Sequence, residues 1–584
     1  MARALVITNG FVVDGTGSPG RVADVAITDG VVSAVGTDLD RTGAEVIDAD
    51  GLLVTPGFVD IHTHFDGQAT WDPVLAPSSQ HGVTSLAMGN CGVGFAPAMP
   101  TDQHHQWLIG MLEGVEDIPG TALAEGLPWD WESFPEYLDS LARRPYTVDV
   151  GTHVTHAPLR AYVMGERGAD PNELPTAEEL ARMADLVREG VEAGALGFTT
   201  SRTYAHRTKD GDPLGTRFST ADELLALTGA MGATGSGVVQ MISDAYLSPD
   251  VEFSHEEMAL MRSMVESSGR PMSMTVQQVE QVPQRWREME AWVDANVAAG
   301  LDMRIQVAPR PVGVLQGLEA SINPVATCES YREIAGLPLA ERVAALRDEG
   351  RRQRIIAEHA ALAASLDGLA STLFTSFDKL FPMTDPVDYE PAPSSSIAAL
   401  AAARGVDPVV EVLDRLVEDE GRQLLYMTLF NYADGNLDDV REMLLSPHSV
   451  IGLSDAGAHC GAICDGSFPT TALSLWTKRP GDGALPIELM VHHLTQRTAR
   501  QVGWLDRGVL AAGYLGDVNL IDLDRLAAHR PHIVRDLPAG GRRLLQAASG
   551  YVATLKRGTV TFRDGEHTGE LPGTLVRGAQ PAPA

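Results

Sequence analysis

The sequence predicts an α/β protein: a parallel (β/α)8 barrel of the TIM type, a small β-sandwich made from both chain ends, and helical insertions in the barrel. Eight short apolar runs recur through the middle of the chain, and amphipathic stretches of helical period separate many of them, as parallel β/α units require. Val/Ile-rich runs cut by Gly and Asp turns occupy both ends. At 584 residues the chain is too long for one ordinary domain and ample for a large core.

The elements follow in order. Residues 1–56 carry ALVITNGFVVDG, VADVAITDGVVSAVG and EVIDADGLLVTPG, short strands separated by turns. The barrel spans 57–504. Its strand candidates are GFVDIHTHFD (57–66), VTSLAMGNCG (83–92), VDVGTHVTH (148–156), ALGFTTSR (195–202), GVVQMISD (237–244), MSMTVQQ (272–278), MRIQVAP (303–309) and SVIGLSDAGAH (449–459). TAEELARMADLVREGVEAG (176–194) reads as a helix opening on a Thr176 N-cap. Insertions interrupt the barrel at 98–147, with the Trp-rich LPWDWESFPEYL, and at 312–445, with long helical patterns. Insertions of this size commonly cover the active face of a barrel; the alternative is extra helical packing away from substrate. Residues 505–584 return to β texture in GDVNLIDLD and GYVATLKRGTVTFRDGEHTG, which can pair with the first segment, and the tail RGAQPAPA reads as a flexible end.

Lys+Arg total 44 against 78 Asp+Glu, a net charge of −34. That balance argues against nucleic acid and against an anionic membrane surface. No apolar run approaches the ~20 residues that span a bilayer. MARALVITNGFVVDG lacks the apolar core of a secretory leader, and 4 Cys do not make a disulfide scaffold. The expectation is a cytoplasmic protein with a small-molecule partner, and the composition leaves room for a homo-oligomer.

The sharpest chemical signal is His62-Thr63-His64 at the end of the first barrel strand. Alternate strand residues face one side, so both imidazoles can grip one divalent metal. Asp455 ends the last strand at the same barrel mouth, where a carboxylate can ligate the metal and take a proton from water. SDAG is also good turn chemistry, and the His pair decides for the catalytic role.

PGFVDIHTHFD, SDAGAH and the two-ended β unit resemble the amidohydrolase superfamily. GNCGVGFAP (89–97), THAPLRAYVMG (155–165) and GALGFTTSRTY (194–204) resemble segments of the N-acyl-D-amino-acid deacylase family. The likeness runs through most of 1–245 and again through 448–565. It implies that His62 and His64 are a metal pair, that Cys91 is a thiolate zinc ligand, and that Asp455 is the catalytic carboxylate. It further implies that Tyr204 contacts the substrate carboxylate and that His156 lines the pocket. The expected cofactor is a divalent metal, zinc by its donors, and the implied substrate is an N-acyl-D-amino acid or related amide.

The chain departs from that family at strands five and six, which each supply a histidine there. Here Gln240, Ser243 and Gln277 occupy the neighbourhood, and amides and hydroxyls are poor zinc ligands. One ion is therefore expected. The family's lysine after strand six is also missing. Arg202 and Arg310, at strand ends, are candidates to pair with a substrate carboxylate, and His206 is a candidate to approach the metal; for each, the favoured alternative is a surface position or a structural salt bridge. Glu113, Glu116 and Asp117 read as a solvated helix face. Two further readings stay open: a mononuclear hydrolase of a cyclic amide, other amide or lactone, and a degenerate barrel that only binds.

Overall fold

The computed structural model describes residues 4–366 and 368–583. The first three residues of the N-terminal run and the last residue of the tail lie outside it. The eight runs form the eight strands of the barrel: β1 (Phe58–Asp60), β2 (Val83–Met88), β3 (Asp149–Thr152, continued by Val154–Thr155), β4 (Gly197–Arg202), β5 (Val238–Ser243), β6 (Met272–Thr275), β7 (Met303–Val307) and β8 (Ser449–Ile451). Neighbours pair in parallel from β1 to β3 and from β3 to β8. A parallel bridge between Thr63 and Ala456 closes the ring beyond the strand ends, bringing the His62/His64 segment against the Asp455 segment.

The β unit is one nine-stranded sheet to which both ends contribute. The seam is antiparallel, Leu53–Pro56 against Val518–Ile521. Leu5, Ile7, Val12 and Val25 share one apolar cluster with Val518, Leu520 and Leu555, so neither end can bury its strands alone.

Helix α1 (Asp102–Glu116) lies in the first insertion, and α2 (Ala177–Ala193) packs outside the barrel. The Thr176 cap forms a reciprocal box: its side chain accepts from Glu179 N at 3.2 Å, and the Glu179 carboxylate accepts from Thr176 N at 2.8 Å. Thr176→Ala is expected to cost about 1 kcal/mol, read as a lower unfolding midpoint in urea.

Two expectations change. The 312–445 insertion is not helical throughout. It contains a three-stranded antiparallel sheet (Val312–Gln316, Leu380–Pro382, Leu425–Phe430) and an apolar cluster of its own, in which Val325, Leu346, Ile355 and Val412 meet Leu425. The tail is pinned at its start. Gly578 N donates to Gly194 O, and Gln580 exchanges backbone hydrogen bonds with Gly503 and Leu505. Among the described residues, no helix is long and apolar enough to cross a membrane.

Candidate metal centre

The end of β1 delivers His62 and His64, both at most 2% exposed. Cys91 arrives on the loop after β2. That loop is wired in place by its backbone amides: Gly89 N donates to Asp66 Oδ2 (3.1 Å), Cys91 N to Gln240 Oε1 (2.9 Å) and Gly92 N to Thr199 Oγ1 (3.1 Å). Gly92 has φ +70°, and a Cβ there would lie 2.8 Å from Thr200 Cα, so only glycine lets the loop approach β4 so closely. Cys91 itself has φ 55°, Asp455 φ 45° and His459 φ 48°. Three non-glycine residues in the left-handed region at one site is strain that the surrounding bonds must hold.

The ligand atoms of His62, His64 and Cys91 all lie within 4.8 Å of one another. His62 Nε2 is 3.2 Å from Cys91 Sγ and 3.3 Å from Asp455 Oδ1, and His64 Nε2 is 3.6 Å from the same oxygen. Both imidazoles thus turn Nε2 inward. On the outer side, His62 Nδ1 meets Gln306 Oε1 at 2.7 Å, and Gln306 Nε2 donates to Ser273 Oγ at 2.8 Å. The amide oxygen accepts, so His62 carries its proton on Nδ1 and keeps Nε2 free to ligate. His64 Nδ1 lies 3.3 Å from Glu116 Oε1.

The electrostatics suit a cation. Burial lowers His64 to a pKa of about 4, so that ring is neutral at pH 7. Burial, then the Glu116, Asp455 and Asp66 carboxylates, push the Cys91 thiol well above its ordinary value. Burial pushes Glu116 up strongly, and Asp455 and Asp66 add to that rise. For Asp455, burial alone would raise the carboxyl, but the neighbouring His64 and His62 imidazoles hold it below the usual carboxylate range. The Cys91 thiol and the Glu116, Asp455 and Asp66 carboxyls crowd the His62 and His64 rings in a buried space. His64 Nδ1 and Glu116 Oε1 are buried with no hydrogen-bond partner among the described residues. A divalent cation reverses that balance: it lets the thiol ionise and offsets the carboxylates. The residues fit a metal of zinc type, with N, S and O donors.

One expectation is corrected, and the other candidate residues find their places. Glu116 is not on a solvated face: it ends α1 and is 2% exposed, against His64. Arg202 is held by Glu257, its Nε and Nη2 donating to that carboxylate at 2.6–3.0 Å. Arg310 is 1% exposed, donates to Asp465 Oδ1 (2.6 Å), Ser467 Oγ and Thr471 Oγ1 (both 2.9 Å), and stacks 3.6 Å over the Tyr389 ring. Both guanidiniums are thus held in internal ion pairs. His156 is fully buried, with Nε2 2.9 Å from Glu223 Oε1 and Nδ1 2.8 Å from Thr200 Oγ1, so it ties the start of its helix to the barrel wall. Tyr204 alone of the four substrate candidates keeps a half-exposed side chain, its backbone N donating to Asp244. His206 Nδ1 meets Ser201 Oγ at 2.8 Å, and burial, then His64 and His459, lower its pKa to about 3.

Sequence reasoning missed Gln306, Glu116 and His459. Gln306 is a polar residue between Ile305 and Val307 on β7 and so lies on the opposite strand face from both, which was a usable signal. His459 closes the SDAGAH segment that carries Asp455, which was also a signal; Glu116 had none, because only the chain path brings it to the site.

A profile of the amidohydrolase family matches residues 45–562. The chain belongs to the amidohydrolase family. It is a hydrolase acting on carbon–nitrogen bonds other than peptide bonds. This amidohydrolase is 28% identical over 610 residues to an uncharacterized protein of Mycobacterium tuberculosis (strain ATCC 25618 / H37Rv), covering 97% of this chain and 93% of that one. It is 34% identical over 200 residues to the D-aminoacylase of Alcaligenes xylosoxydans xylosoxydans, 34% of this chain and 38% of that enzyme. A crystal structure of D-aminoacylase superposes on the amidohydrolase with a TM-score of 0.63 at 21% identity, covering 98% of this chain and 99% of that one, which speaks for a shared fold.

Proposed function

We propose that this amidohydrolase hydrolyses the amide bond of an N-acyl-D-amino acid or a related amide, using one zinc ion held by His62, His64, Cys91 and Asp455. The observation that carries the proposal is the convergence of the His62, His64 and Cys91 donor atoms within 4.8 Å beside the Asp455 carboxylate. The D-aminoacylase of Alcaligenes xylosoxydans xylosoxydans supports the substrate class. When bound, the metal supplies a Lewis acid that polarises the scissile carbonyl and eases the ionisation of water. Asp455 Oδ1, kept ionised at neutral pH, accepts the proton from the attacking water and returns it to the leaving nitrogen. Gln306 holds the His62 ring in the tautomer the site needs. Tyr204, half-exposed on the loop after β4, contacts the substrate.

A second reading rests on the ends of β5 and β6. Gln240 Oε1 accepts from Cys91 N, and Gln277 Oε1 accepts from Asn431 Nδ2, so both side chains serve the scaffold. Among the described residues, His62, His64 and Cys91 form the one cluster of this kind. That favours a mononuclear enzyme, for which a cyclic amide, other amide or lactone is the alternative substrate.

Elemental analysis of protein purified without added metal is expected to find about one zinc per chain. Cys91→Ser is expected to lower that content, since a hydroxyl is a poor zinc ligand. Screening N-acyl-D-amino acids and cyclic amides on that preparation separates the two readings. Turnover of neither, with no metal even after incubation with zinc, would leave only a degenerate binding barrel.

A further inference from the structure

We infer that Glu116, brought in by the first insertion, is a positioning residue that orients His64 for the metal and so couples that insertion to the metal centre. The inference rests on the metal reading above. The two ligand imidazoles are arranged alike: each turns Nε2 to the shared centre and Nδ1 to a side-chain oxygen. For His62 that oxygen is Gln306 Oε1; for His64 it is Glu116 Oε1. Both partners of the second pair are 2% exposed, and neither His64 Nδ1 nor Glu116 Oε1 has a hydrogen-bond partner among the described residues. A buried carboxylate and a buried ring nitrogen facing each other at 3.3 Å have no other way to satisfy their polarity.

The end of α1 is also built to hold that carboxylate still. His459 N donates to Glu116 O, and His459 Nε2 is 3.6 Å from Glu116 Oε2. The next residue, Asp117, adopts φ 47° to end the helix, and its Oδ2 accepts from Ser321 Oγ (2.8 Å) and Gly461 N (3.3 Å). The 459–461 segment follows Asp455 directly in the chain. The helix end is therefore clamped between the strand that carries His64 and the segment that carries Asp455. A carboxylate on the outer nitrogen of a ligand imidazole fixes its tautomer and raises its basicity toward metal.

The test compares zinc affinity of the full chain with that of Glu116→Ala and Glu116→Gln, by competition with a chromogenic chelator, alongside thermal unfolding of each protein without metal. Glu116→Ala is expected to bind zinc about 10–100-fold more weakly. Glu116→Gln is expected to recover much of that loss, because its amide oxygen can accept from Nδ1 as Gln306 does for His62, and the metal-free proteins are expected to unfold alike. Unchanged affinity in Glu116→Ala, beside a wild type that binds zinc, would overturn the positioning role alone. Equal losses in both variants, accompanied by earlier unfolding, would overturn it in favour of a purely architectural role. A wild type that binds no zinc would overturn the metal reading itself.

Discussion

His62→Ala is expected to lower turnover by about 10³-fold or more and to reduce the metal content of the purified protein, while the barrel stays folded. Loss of a Lewis acid removes several kcal/mol of transition-state stabilisation, and each ~1.4 kcal/mol is tenfold in rate. The fold is expected to survive because the neighbours of His62 are polar groups that can pair otherwise. Gln306 keeps its bond to Ser273 Oγ, and Ser454 Oγ, which donates to Asp60 Oδ2 at 2.6 Å, still holds the β1 and β8 ends together. The measurement is kcat on the best amide found in the screen, with zinc per chain and circular dichroism on the same sample. Full activity in His62→Ala would reject the metal mechanism. Loss of activity with an unfolded spectrum would instead make His62 a residue of the scaffold.

Asp149→Ala is expected to destabilise the chain by about 3–5 kcal/mol, the usual cost of removing one partner from a buried ion cluster. Asp149 starts β3 and is fully buried. Lys556 Nζ (2.8 Å), Arg507 Nη1 (2.9 Å) and Arg557 Nη2 (3.0 Å) converge on its Oδ2, and Thr574 N donates to its Oδ1 at 2.9 Å. Lys556 lies on a strand of the β unit, so the cluster ties the barrel to that unit. In the variant the buried Lys556 keeps Asp517 at 2.7 Å, but Arg507 loses its fully buried partner. Burial alone would raise the Asp149 carboxyl. Lys556, Arg507 and Arg557 outweigh burial and hold it far below the ordinary carboxylate range. A depressed folded pKa contributes stability that is present above the unfolded value of about 3.9 and is lost as pH falls through the folded value. The wild type is therefore expected to lose this contribution progressively below about pH 4, and Asp149→Ala to show a flatter acid limb. Urea unfolding followed by tryptophan fluorescence across pH 3–7 measures both. An unchanged midpoint in Asp149→Ala would remove the cluster from the account of stability.

Much of this protein is legible along the chain. Eight apolar runs bounded by turns and amphipathic stretches are local patterns, and each became a barrel strand. His62 and His64 converge because strand periodicity puts alternate residues on one side, a rule that needs no tertiary information. The Thr176 cap is legible for the same reason: cap and partner are three residues apart.

Only the tertiary structure decided the partners of the charged and polar groups. Along the chain, Arg310 and Arg202 left a substrate carboxylate or a structural salt bridge open; in the fold Arg310 meets Asp465 across 155 positions and Arg202 meets Glu257 across 55. Gln306 reaches His62 across 244 positions. Glu116 read as a solvated helix face, but the end of α1 places it buried and 3.3 Å from His64. Side-chain periodicity reports which way a residue faces on its own element. A hydrogen bond or ion pair needs two groups within about 3 Å, and closure of the chain over long separations sets that distance. The elements and the candidate His62/His64 pair are thus properties of the sequence, while the identity of each buried partner, and with it the surroundings of the candidate metal centre, belongs to the fold.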